Sequence, residues 1–217
     1  MTLALRGFYA VLDRPDDDEA LARALLAHAC ALQIRLKPRG SAASADASEV
    51  VRVARMARAL CTEHGVPLII NDRLDVALSV GADGVHLGQT DLPLADARAS
   101  ARGRVFIGIS THDLAQVAAA RDGGADYLGF GPVLATGTKA NPDALQGLEG
   151  LRAAVMEARD LPIVAIGGLN PAVARAVYAT GAACICAIGA VNDAPDVASA
   201  ARSLRMAATD IAHDSRL

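Results

Sequence analysis

The sequence predicts an α/β protein of a single domain, residues 1–217, folded as a closed (β/α)8 TIM barrel. Eight short apolar runs recur along the chain, and each is followed by a segment in which apolar residues return at helical spacing. The runs are continuously apolar, which is the pattern of parallel strands covered on both faces, whereas half-solvated strands alternate with polar residues. The length of 217 residues also lies within the range that eight-unit barrels occupy as one domain. An open doubly wound sheet is the structural alternative. It would be expected to carry a glycine-rich dinucleotide fingerprint after its first strand, and Asp13-Arg14-Pro15-Asp16 is nothing like one.

The first strand is Phe8 to Leu12, ended by Asp13-Arg14-Pro15, with helical spacing from Asp16 to Ala29. The second is Ala31 to Lys37. After the polar Pro38-to-Ser48 segment, Val50, Val53, Ala54, Ala57, Leu60 and Cys61 form one helical stripe, which Gly65 ends at a position that commonly needs positive φ. Val66 to Ile70 is the third strand, then Asn71-Asp72 and a short helix from Leu74 to Val80, stopped by Gly81. Gly84 to Leu87 is the fourth, followed by Gly88-Gln89-Thr90-Asp91 and a helix from Pro93 to about Ala101. Val105 to Ile109 is the fifth, with Ser110-Thr111 as the expected cap of a helix whose apolar face is Leu114, Val117 and Ala118. Asp126-Tyr127-Leu128, the sixth, feeds the loop Gly129 to Lys139, and its helix runs from about Ala144 to Ala158. Leu161 to Ile166 is the seventh, Gly167-Gly168 its turn, and Asn170-Pro171 an N-cap with proline at the first helical position. Ala182 to Ile188 is the eighth, then Gly189 and a last helix from about Ala194 to Ile211.

Composition narrows the function classes. With 53% hydrophobic, 21% charged and only 3% aromatic residues, the core is expected to be built from small aliphatic side chains. A net charge of −3 argues against nucleic acid or an anionic membrane surface as the main partner. No apolar run reaches the length needed to span a bilayer, and the N-terminus lacks the pattern of a secretory signal, so a cytoplasmic location is expected. Cys30, Cys61, Cys184 and Cys186 have neither metal spacing nor the density of a disulfide scaffold; buried small thiols are the expectation. The oligomeric state is left open, with a homo-oligomer among the options.

In a parallel barrel every strand points its C-terminal end to the same face, where the strand-to-helix loops build the site. Those ends collect Gln33, Arg35 and Lys37; Asn71 and Asp72; Gln89 and Asp91; Ser110; Thr136, Thr138 and Lys139; Gly167 and Gly168; and Gly189. Period-two spacing puts Gln33, Arg35 and Lys37 on one side of the second strand, inward if Leu32, Ile34 and Leu36 face the helices. Arg35, Lys37 and Lys139 supply three positive charges, and Asp72 and Asp91 two carboxylates from adjacent units. That set suits a diphosphate held with Mg²⁺, a hard ion that takes one or two carboxylates plus phosphate oxygens and water. The alternative is internal neutralisation, with Arg35 and Lys37 simply paired to Asp72 and Asp91. Gly167-Gly168 and Gly189 stand where such barrels bind a phosphate monoester through backbone N–H groups. Two anionic subsites suggest a transferase joining two phosphorylated small molecules. His86, inside the fourth strand, is expected to orient neighbours and not to act as a base.

Taken together, Gln33-Ile34-Arg35-Leu36-Lys37, Asn71-Asp72-Arg73, the run from Gly81 to Asp91, Gly108-Ile109-Ser110-Thr111-His112, the stretch from Gly124 to Lys139, and Pro162 to Gly168 resemble the thiamine-phosphate synthase (thiamine-phosphate pyrophosphorylase) family over almost the whole chain. The resemblance implies a (β/α)8 barrel that couples 4-amino-5-hydroxymethyl-2-methylpyrimidine diphosphate to 4-methyl-5-(2-phosphoethyl)thiazole, giving thiamine monophosphate and diphosphate. It implies Mg²⁺ ligation by Asp72 and Asp91, and diphosphate binding by Arg35, Lys37, Asn71 and Lys139. Gln33 would meet the pyrimidine, and Ser110, Thr136 and Thr138 would line the junction. Gly168 and Gly189 would hold the thiazole phosphate. Arg35, Lys37, Ser110 and Lys139 are the expected catalytic residues. One departure stands out: Ile188-Gly189-Ala190-Val191 replaces a serine-containing stretch common in the family, so one hydroxyl donor is missing. A related barrel that aromatises a thiazole tautomer, and a non-catalytic barrel that binds thiamine precursors for regulation, are the alternatives.

Overall fold

The computed structural model describes residues 5–14, 18–37, 45–135 and 144–214. Eight parallel strands close into a barrel in chain order: β1 (Gly7–Leu12), β2 (Ala29–Ile34), β3 (Leu68–Asn71), β4 (Gly84–Leu87), β5 (Phe106–Thr111), β6 (Tyr127–Phe130), β7 (Ile163–Ile166) and β8 (Cys184–Cys186). The helices are α1 (Asp18–Leu26), α2 (Ala47–His64), α3 (Leu74–Val80), α4 (Leu94–Ala101), α5 (Leu114–Asp122), α6 (Gly147–Ala158), α7 (Ala174–Tyr178), α8 (Gly189–Asn192) and α9 (Val197–Asp214). The closing seam, β1 on β8, is short: Gly7 pairs Cys184 and Phe8 pairs Ile185.

Strand alternation sorts the side chains into two layers. Phe8, Ala10, Leu12, Leu32, Ile34, Leu68, Ile70, Val85, Ile107, Leu128, Phe130 and Ile185 belong to the outer core beneath the helices. Tyr9, Val11, Ala31, Ile69, Tyr127, Val164, Cys184 and Cys186 fill the barrel. Each fully buried Leu or Ile contributes roughly 1.5–3 kcal/mol, so the outer layer carries most of the stability. The expected α2 stripe is the buried face of that helix, and Gly65 ends it at φ 65°. Gly81 ends α3 in the same left-handed conformation, φ 66°.

Several local expectations are corrected. Ser110 and Thr111 belong to β5; the N-cap of α5 is Asp113, whose carboxylate accepts from Gln116 N at 2.8 Å. The buried face of α5 is Val117 and Ala120, while Leu114 is exposed, because the helix starts later than the cap assumed. Gly129 and Phe130 extend β6 instead of opening its loop. Asn170 does cap, accepting from Ala172 N at 2.9 Å, but the turn it starts is a 3-10 turn, Pro171–Val173, before α7. The short helix α8 was not expected at all.

Candidate active site

A cavity of about 370 Å³ opens at the C-terminal ends of the strands. Of the expected site residues, Gln33, Arg35, Asn71, Ser110, Gly168 and Gly189 line it. Lys37, Asp72 and Asp91 stand outside that lining, in the loops that follow β2, β3 and β4. Thr136, Thr138 and Lys139 lie outside the described residues.

β2 ends at Ile34, yet its inward parity continues past the strand. Gln33 is buried in the barrel, and Arg35 lines the cavity. The Arg35 Nη1 atom is buried and has no hydrogen-bond partner among the described residues. A desolvated guanidinium nitrogen without an acceptor is costly unless an anion completes it. Beneath it, burial pushes the Cys186 thiol up to about 12, against the opposing pull of the Arg35 charge.

Lys37 Nζ forms an ion pair with Asp72 Oδ2. Here the internal-neutralisation alternative is met for one cation of the two. Asp72 has φ 62°, a left-handed conformation that aspartate adopts more readily than most residues but still at a cost, and its N–H donates to His86 O at 2.8 Å. Asp91 closes its own turn by accepting from Gly88 N at 2.7 Å. Its carboxyl is held above the usual aspartate range by burial first and by the neighbouring Asp72 carboxyl second. Two carboxylates against one another, with one shared lysine, form a donor set that a divalent cation would relieve. Among the described residues no cluster of three His, Cys, Asp or Glu side chains forms a self-sufficient metal cage. The pair fits an ion such as Mg²⁺ that draws its other oxygens from phosphate and water.

Across the barrel interior runs a chain of polar groups. Gln33 Nε2 donates to Tyr9 Oη at 3.1 Å, and the Tyr9 and Tyr127 hydroxyls are 2.9 Å apart. Tyr127 Oη is 3.0 Å from His86 Nδ1, and His86 Nε2 is 2.9 Å from Ser110 Oγ. Gln89 Nε2 donates to the Ser110 carbonyl at 2.6 Å. The His86 ring thus links Tyr127 to Ser110. Tyr9 and Tyr127 were missed; the available signal was their inward parity in otherwise aliphatic strands.

The opposite side of the cavity is built from backbone. Val133 N donates to Ile166 O at 2.9 Å and Leu134 N to Gly167 O at 3.0 Å, zipping residues 131–135 onto the end of β7. A Cβ on Gly168, at φ 64°, would collide with Ala135 O, and one on Gly167 would come within 2.6 Å of Pro132 Cα. The two glycines are therefore required by this close approach, whatever ligand they also meet. His112 Nδ1 donates to Gly131 O at 2.6 Å and so secures the same loop. Gly189 begins α8, which is braced against β1: Asn192 Nδ2 donates to Val11 O at 2.9 Å and to Asp13 Oδ1 at 2.7 Å. Arg14 Nη2 adds bonds to Asn192 O at 3.0 Å and to Asp193 Oδ1 at 2.7 Å.

The sequence profile described as thiamine monophosphate synthase matches residues 8–191. The chain is 44% identical over 191 residues to the thiamine-phosphate synthase of Moorella thermoacetica, covering 88% of each protein. Against that of Chloroflexus aurantiacus the identity is 48% over 161 residues, 74% of each. Among solved structures, thiamine phosphate pyrophosphorylase from Pyrococcus furiosus aligns with a TM-score of 0.85 at 37% identity, over 96% of this chain and 98% of that one. A 3-hexulose-6-phosphate synthase, with a TM-score of 0.68 at 21% identity over 93% of this chain and 99% of that one, shares the fold alone. With profile, sequence relatives and barrel geometry in agreement, the chain belongs to the thiamine monophosphate synthase family.

Proposed function

We propose that the protein couples 4-amino-5-hydroxymethyl-2-methylpyrimidine diphosphate to 4-methyl-5-(2-phosphoethyl)thiazole, releasing diphosphate and forming thiamine monophosphate. The observation that carries the reading is the buried, unpartnered Arg35 Nη1 at a cavity flanked by the Lys37–Asp72 pair and Asp91. A simple monophosphate-binding barrel needs neither carboxylate.

The bond between the pyrimidine methylene and the diphosphate oxygen breaks, and the thiazole nitrogen bonds to that methylene. The electron-rich aminopyrimidine carries the positive charge between the two events, so no side-chain nucleophile is required. Mg²⁺, when held by Asp72 and Asp91, supplies positive charge to the departing diphosphate. Arg35, Lys37, Asn71 and Lys139 bind that group, and their charge counts most as its negative charge grows. Gln33 holds the pyrimidine, while Ser110, Thr136 and Thr138 line the junction and orient the two substrates. Gly168 and Gly189 receive the thiazole phosphate through the backbone. Fixing nitrogen and methylene in line removes much of the entropic barrier of a two-substrate reaction.

The test is thiamine monophosphate formation by the purified protein with both substrates, in Mg²⁺ and in excess chelator. Product that disappears with chelator and returns with Mg²⁺ is expected. Equal product in both would overturn the metal assignment. No product, with the thiazole phosphate still bound, would favour the tautomer-aromatising or the regulatory reading.

A further inference from the structure

With the Gln33 amide nitrogen toward Tyr9, one direction satisfies the donors of the polar chain inside the barrel among its own members. Tyr9 and Tyr127 are both buried at the floor of the cavity, which both line, and each hydroxyl has one proton to donate. Gln33 Nε2 is a donor to Tyr9 Oη, so the Tyr9 proton goes to its other partner, Tyr127 Oη. Tyr127 then accepts from Tyr9, and its own proton goes to His86 Nδ1. A ring nitrogen that accepts bears no proton, which places the imidazole proton on Nε2, facing Ser110 Oγ. Ser110 accepts there, and its own proton turns toward the cavity it lines. A proton on Nδ1 instead would send the Tyr127 proton to Tyr9 and leave the Tyr9 proton without an acceptor within the chain, unless Gln33 turned its amide over.

The strands are built to hold this chain. A Cβ on Gly108 would collide with the hydroxyl end of the Tyr127 ring, and one on Gly129 would lie 3.1 Å from His86 Cε1. β5 and β6 therefore leave open the space that the two rings occupy. The rings also pack on one another, with the Tyr9 and Tyr127 centroids 6.0 Å apart and those of His86 and Tyr127 5.4 Å apart.

We propose that Tyr9, Tyr127 and His86 are positioning residues that join Gln33 to Ser110 in one directed hydrogen-bond chain. The chain presents an acceptor, Gln33 Oε1, at one end and a donor, the Ser110 hydroxyl, at the other. It selects a ligand whose ring offers an amino donor to Gln33 and whose arm offers an oxygen acceptor to Ser110. A ring with an oxo group in place of the amine would set two acceptors against each other. The ligand's identity rests on the function proposed above; the direction of the chain does not.

Two measurements test it. In resting protein labelled with ¹⁵N-histidine, His86 is assigned by the signal lost in His86→Gln, and long-range proton–nitrogen correlations read its tautomer. The proton is expected on Nε2, moving toward a mixture of tautomers in Tyr127→Phe. A proton on Nδ1 in the wild type, or a tautomer indifferent to Tyr127→Phe, overturns the proposal. In the kinetic arm, Tyr127→Phe is expected to raise KM for the pyrimidine diphosphate about tenfold, the worth of roughly one hydrogen bond, with a smaller change in kcat. A lowered Tm with unchanged KM would mean a packing role alone and would also overturn it. Tyr9→Phe makes the same cut one link away, should Tyr127→Phe fail to fold. If the wild type forms no thiamine monophosphate, the function reading fails while the tautomer still decides the chain's direction.

Discussion

The two sides of the cavity mouth are made of different materials. The side formed after β2, β3 and β4 presents charged side chains: Arg35, Lys37, Asp72 and Asp91, partly neutralised by one another. The side formed after β6, β7 and β8 presents backbone, with Gly167 and Gly168 pressed against residues 131–135 and Gly189 at the start of α8. Under the proposed function, Lys37 would leave its carboxylate for a phosphate when the ligand arrives, so that side is able to respond. The glycine side is fixed by its hydrogen bonds before any ligand comes. Under the proposed function, the first side would take the leaving group with its metal, and the second the arm of a substrate that only needs anchoring.

Substitutions on each side should therefore fail differently. The largest effect is expected from Asp72→Asn, which keeps a residue that tolerates positive φ and removes the charge. Turnover should fall by about 10²–10³-fold, as for other losses of preorganised charge, with the thermal midpoint little moved. Near-normal turnover would take Asp72 out of the site. Gly168→Ala should act chiefly on stability, because a Cβ meets Ala135 O at a left-handed φ. A loss of about 1–3 kcal/mol is expected, read as a lower Tm at roughly 2–4 °C per kcal/mol; an unchanged Tm would show that the loop yields. Gly189→Ser should be smallest. Restoring a hydroxyl donor is worth about 1 kcal/mol, and KM for the thiazole phosphate should drop about fivefold, whereas a rise would show that the loop has no room for the side chain.

The charged side was legible in the sequence because its signal is a residue type at a strand end. Arg35 and Gln33 could be placed by period two alone, and the parity held although β2 stops at Ile34. The glycine side was legible only as a station, since the reason for Gly167 and Gly168 is a collision with a loop from another unit, which no local pattern encodes. Tyr9 and Tyr127 stayed hidden because a tyrosine inside an apolar strand reads as core until its hydroxyl partners, 118 positions apart, are brought together. The helix α8 was missed for the same reason: a four-residue helix is too short for periodicity, and its bracing by Asp13 and Arg14 comes from the far end of the chain.

The short seam between β1 and β8 bears on how the molecule comes into being. As the chain is synthesised, β1 emerges before the other seven strands, yet one of its two neighbours arrives only when Cys184 and Ile185 do. Until then the nascent chain can form at most an open sheet with a bare strand on each side, and bare strands pair readily with other chains. The last helix, α9, packs against β1 and follows it by most of the sequence. Completion of the barrel is thus deferred until β8 has been made, and the growing polypeptide is most exposed to misassembly just before that strand appears.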